Sequence, residues 1–158
     1  MRNSTPDVLF VATAFLFEIA LVVHFAVRRW RLDVAVRYGP IVYALSVPAA
    51  TVSGILLFGG KAWWLWLGGV LFLLWAAFGF VVEYVGKVQW RDPIRWSVFV
   101  PYVLLCLATS MFYWWPLALI WKPLWYVFAA FFVASTVLNV ISHRAPRAYR
   151  RPLDSRDL

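Results

Sequence analysis

WWLWLGGVLFLLWAAFGFVVEYV, residues 63–85, holds one charged side chain, Glu83, in twenty-three positions. A hydrocarbon core about 30 Å thick needs roughly 20 residues of helix to cross it. A membrane strand would alternate apolar and polar positions in pieces of about ten residues, whereas this run is continuously apolar. It reads as a transmembrane helix.

Four further runs read the same way. Val8–Val27 ends at Arg28-Arg29-Trp30-Arg31. Pro40–Phe58 opens on a proline suited to a first helical turn and closes on Gly59-Gly60. Trp96–Trp115 and about Leu124–Ser142 complete the set. The expected fold is an all-α integral membrane bundle of five transmembrane helices forming one domain, residues 1–143. A basic tail over 144–158, with five arginines and few apolar residues, is expected to be mobile near the membrane surface.

Composition agrees. Sixty-four per cent hydrophobic residues and a mean hydropathy of +0.76 lie outside the range of soluble domains. A net charge of +8 in a soluble protein would suggest nucleic acid. Here the basic residues sit at helix ends, so no nucleic-acid partner is expected and the bilayer is the partner that the charge implies. The first apolar run has one preceding arginine and no small-residue cleavage pattern after it, so a cleavable signal peptide is not expected. Cys106, the single cysteine, lies within the fourth run and reads as a packing residue.

Charge sets the expected orientation. Arg28–Arg37 carries four basic residues, Lys87–Arg95 three and the tail five, against Arg2, Lys61 and Lys122 on the opposite side. Cytoplasmic segments are enriched in Lys and Arg. The N-terminus is therefore expected outside and the C-terminus in the cytoplasm, with a bacterial plasma membrane as the default location. Trp63, Trp64, Trp66, Trp114, Trp115, Trp121 and Trp125 then mark the outer interface, and Trp30, Trp90 and Trp96 the inner one.

Polar side chains inside the apolar runs are the candidate functional residues. Glu18 lies near the middle of the first run, where a charged carboxylate costs about 3 kcal/mol or more unless protonated, paired or hydrated. It reads either as a proton or ligand site or as a neutral acid bonded to a neighbouring helix. A second group gathers toward the cytoplasmic ends: His24, Glu83, Asn139 and His143, with Tyr43, Trp75 and Tyr102 as possible pocket lining. A His, Glu and His set suits metal, haem or acid–base chemistry. No H-x-x-H or H-E-x-x-H spacing supports it, so no metal or other cofactor is named, and an interfacial polar layer is the simpler reading. Ala49, Ala50, Ser53 and Gly54 in the second run, and Gly68, Gly69, Ala76 and Gly79 in the third, are expected to let helices approach closely. Pro48 and Pro101 are candidate kinks.

Ala134-Ser135-Thr136-Val137-Leu138-Asn139 resembles the fifth-helix pattern of the tryptophan-rich sensory protein/translocator protein family, and Leu74-Trp75 with Phe78 is a fainter likeness. The resemblance implies a binder of tetrapyrroles or sterol-like molecules. The tryptophan- and proline-rich signature of that family's first loop and second helix has no counterpart in Arg29–Ser53, so its ligand pocket is not carried over.

Three functions remain as expectations. The first is a non-enzymatic bundle that packs against other membrane subunits or copies of itself. The second is a binder of an apolar small molecule, lipid, sterol-like or tetrapyrrole. The third is a membrane-embedded enzyme or proton-coupled carrier using Glu18 or the His24, Glu83 and His143 set.

Overall fold

Six α-helices build five membrane-length spans in the computed structural model, which describes residues 5–90 and 93–143, apart from the side chain of His143. They are α1 (Thr5–Trp30), α2 (Leu32–Ala44), α3 (Ser46–Phe58), α4 (Trp63–Phe80), α5 (Trp96–Ile120) and α6 (Lys122–His143). A π-helical segment, Val81–Val85, prolongs α4. The helices α2 and α3 run as one span over Leu32–Phe58. All five spans are long and apolar enough to cross a membrane, and no β-strand occurs among the described residues. The basic tail at 144–158 lies outside the described residues.

Helices overrun the apolar runs. The stretch 28–37, expected as a loop, is helical except at Arg31, whose φ of −141° and ψ of 75° break α1 from α2. Pro40 consequently sits inside α2 and not in a first turn. At the other end of the bundle α5 passes through Pro116 to Ile120, and a single extended residue, Trp121, separates it from α6. Hydropathy reports where lipid contact ends, whereas a helix ends where its backbone hydrogen bonds stop. Arginine is a good helix former, so helical bonding carries on beyond the hydrocarbon. The turn after α3 follows expectation, with Gly60 at a φ of +65°, a conformation that glycine adopts without strain.

The second span breaks at Leu45. A proline ring clashes with the carbonyl four residues before it, and for Pro48 that residue is Ala44, the last of α2. Backbone chemistry thus accounts for the position of the break.

The spans close a ring. Each packs on its sequence neighbour, and α1 packs on α6, with α1 also touching α3, α4 and α5. Aromatic side chains fill the centre: Phe17 meets Phe72 at 4.8 Å, Tyr113 at 5.7 Å and Trp75 at 6.0 Å between ring centroids. The outer face carries Val23, Ile55, Leu104 and Val133, each more than half exposed.

Gly69 makes the closest packing. A Cβ there would collide with Ser53 Oγ and lie 2.7 Å from the Ala49 carbonyl, so α3 and α4 meet backbone to side chain. Gly79 similarly admits the Tyr43 ring, 2.8 Å from where its Cβ would be. Gly54 differs from its expected role, because nothing lies within 4 Å of a Cβ built on it.

Candidate functional site

Two polar clusters cross-link the helices. The first joins α1 to α6. Glu18 is 0 % exposed, and the Ser135 hydroxyl donates to its Oε1 at 2.5 Å. The same hydroxyl lies 3.0 Å from the Phe132 carbonyl. One hydroxyl carries one proton, so the Glu18 carboxyl and the Phe132 carbonyl share a single donor. Glu18 Oε2 has no hydrogen-bond partner among the described residues.

The second cluster joins three spans. Tyr43, in the last turn of α2, donates to Glu83 Oε2 at 2.9 Å, and the Tyr102 hydroxyl of α5 lies 3.3 Å from the Tyr43 hydroxyl. Since the Tyr43 proton is committed to Glu83, Tyr102 is the donor of that second contact. The chain therefore runs from Tyr102 through Tyr43 to Glu83. Trp75 packs edge-on to Tyr43 at 5.5 Å and tilted on Tyr102 at 5.4 Å. Trp90 closes the far side of Tyr102 at 5.0 Å.

Glu83 and Tyr84 both reach α2 from the π-helical segment. Tyr84 donates to the Val36 carbonyl at 3.3 Å. Pro40 lies four residues after Val36 and brings no N–H to that carbonyl, so the tyrosine hydroxyl serves as its donor. A π-helical turn places successive side chains differently from an α-helix and recurs at functional positions.

The candidate residues thus separate into distinct places. Glu83, Tyr43, Tyr102 and Trp75 come together, but ring against ring and not as the walls of an enclosed cavity. Glu18 pairs with Ser135. His24, on α1, faces α2, with its Cε1 3.9 Å from where a Gly39 Cβ would be. Asn139 is half-buried on α6, its carbonyl accepting from Ser142. The side chain of His143 lies outside the described residues. Among the described residues no three His, Cys, Asp or Glu side chains gather as a metal site.

Trp90 is only 4 % exposed, which departs from its expected place in the aromatic belt. Its spacing from the apolar runs gave no hint of this, because it follows the charged Lys87 in a loop that folds back over Tyr102. Trp30 and Trp96, at 72 % and 65 % exposure, do face outward. On the opposite end of the bundle Trp114 stacks on Trp125 at 5.0 Å and donates its Nε1 to the Trp125 carbonyl at 3.1 Å.

A groove of about 300 Å³ runs along the outside of the bundle between α1 and α2. Its walls are apolar apart from His24 and Tyr38.

The chain matches no protein family, no curated protein and no solved structure. The likeness to the tryptophan-rich sensory protein family therefore rests on short stretches, in which Leu74 and Thr136 face outward and Trp75 and Ser135 face the core.

Proposed function

We propose that this protein is a non-enzymatic membrane bundle that presents α6 to another transmembrane helix, inserted with its N-terminus outside and its C-terminus in the cytoplasm of a bacterial plasma membrane. The observation that carries the reading is the coverage of α6. Of its most apolar stretch 11 % is buried in the chain, against 28–39 % for the other four spans. Its outward stripe holds Ala130, Val133, Ala134 and Val137. Alanines four residues apart let a second backbone approach closely, which is how helices associate in lipid.

In this reading Glu18 and the Tyr102–Tyr43–Glu83 chain are fasteners between helices and carry no proton through the bilayer. The twelve basic residues in three segments support the orientation.

Photoreactive residues placed at Val133 and Val137 in native membranes, with Val47 of α3 as a control, test the contact. Protein adducts at the α6 positions with lipid adducts alone at Val47 support it. Lipid adducts alone at all three positions sink it. Orientation is read separately, by labelling Lys61→Cys and Lys87→Cys in a Cys106→Ala background with an impermeant maleimide. Labelling of position 61 and protection of position 87 in intact cells is the expected result.

A further inference from the structure

The groove between α1 and α2 has one end among arginines and the other near the middle of both spans. Its α1 wall runs from Leu16 to Val27 and its α2 wall from Val34 to Leu45. Eleven residues rising 1.5 Å each make it about 16 Å long, close to half of a hydrocarbon core about 30 Å thick. A hydrocarbon chain lying within one leaflet matches that length and the apolar walls.

The chemistry at the arginine end selects which lipid. Wall positions Ala20, His24 and Val27 continue along the same face of α1 to Arg28, and Arg31 follows at the break between α1 and α2. On α2 the wall residue Ala35 sits one turn after Arg31, whose carbonyl accepts the Ala35 N–H at 3.0 Å. The Arg37 guanidinium lies over the ring of the wall residue Tyr38, 5.8 Å from its centroid. Over residues 28–37 four arginines face one acid, Asp33. Asp33 lies 3.6 Å from Arg31, in an exposed pair that bulk water screens. This end therefore carries an excess positive charge where a lipid's headgroup would rest.

We infer that the α1–α2 groove is a binding site for an anionic phospholipid, one acyl chain lying along Ala20, Val23 and Ile41 and the phosphate held by Arg31 and Arg37. The site is separate from the α6 contact proposed above. Arginine suits the phosphate because its planar fork presents several donors at once, and each basic residue near the surface favours anionic over zwitterionic lipid. The half-bilayer length of the apolar groove and the charge of its end are independent observations, and together they point to this occupant.

The test is native mass spectrometry of the full chain reconstituted with equal amounts of phosphatidylglycerol and phosphatidylcholine, comparing the lipid retained by wild type, Ala20→Phe and Arg31→Gln/Arg37→Gln. Wild type is expected to retain phosphatidylglycerol at least tenfold over phosphatidylcholine. The double arginine variant is expected to lose that preference by about fivefold per arginine removed, the equivalent of about 1 kcal/mol each. Ala20→Phe, which fills the groove from its half-buried position, is expected to lower retention of both lipids. Equal retention of the two lipids by wild type overturns the inference, as does an unchanged preference in the arginine variant. Both arginines lie on the surface, so that variant remains informative if Ala20→Phe fails to fold. A second protein chain cross-linked in place of lipid at Ile41 overturns it as well.

Discussion

The hydroxyl of Tyr84 donates to the carbonyl of Val36 across 3.3 Å, and that carbonyl lacks a helical donor because the residue four positions on is Pro40. Two helices are thereby joined by the repair of a proline defect. A carbonyl freed by proline is met in membrane helices by side chains and neighbouring helices. A proline within a span and a tyrosine on the span beside it act together.

Tyr84→Phe is expected to cost about 1 kcal/mol, the ordinary net value of one neutral hydrogen bond, and to lower the melting temperature by about 2–4 °C. In a Pro40→Ala background the Val36 carbonyl regains a backbone donor, so the same change should cost much less. Thermal melts of the two single variants and the double variant in one detergent check this. Additive losses would show that Tyr84 does not serve that carbonyl.

Removing Ser135 should hurt more than changing Glu18. Ser135→Ala leaves Glu18 without its partner on α6, and an unsatisfied buried polar group costs about 1–3 kcal/mol. Glu18→Gln keeps a group able to accept from the serine and should stay within about 1 kcal/mol of wild type. Chemical unfolding in mixed micelles measures both, and a neutral Ser135→Ala would contradict the pairing as a fastener between α1 and α6.

Gly69 and Gly54 should behave in opposite ways although both were read from the sequence as close-approach positions. Gly69→Ala drives a Cβ into Ser53 Oγ and toward the Ala49 carbonyl, and overpacking of this kind costs about 1–3 kcal/mol. Gly54→Ala meets open space and exchanges a poor helix former for the best one, so it should be neutral or stabilising by up to about 1 kcal/mol. Melting temperatures of the two variants, measured side by side, decide the matter. Equal losses would mean that α3 faces α4 in a different register.

Tyr43→Phe retains the ring contacts with Trp75 and Tyr84 while it removes the donor to Glu83. The expected loss is about 1 kcal/mol, the ordinary net value of one hydrogen bond. Infrared difference spectra of wild type minus variant should show the Glu83 carboxyl band shifted, and an unshifted band would place Glu83 elsewhere.

Much of the architecture was legible because each span had to be continuously apolar over about 20 residues. Span number, the turn at Gly59-Gly60 and the candidate polar residues all came from composition along one strand of text. Helix ends were less legible. Arg28, Arg29 and Pro116 look like stops, but arginine extends a helix beyond the lipid and membrane helices tolerate proline. Partnerships between polar residues were not legible at all. Nothing in the spacing of Glu83 names Tyr43 as a partner, because that contact depends on which faces α2 and the π-helical segment turn to each other.

The sequence by itself determined that five apolar spans form, each long enough to cross a hydrocarbon layer, since the cost of exposing backbone to lipid is local to each segment. Only the tertiary structure decided that α1 closes a ring with α6, that Gly69 and not Gly54 receives a neighbour, and that α1 and α2 leave a groove ending in arginines. Those outcomes depend on helix rotation and close packing, which are set by contacts between residues distant in the chain.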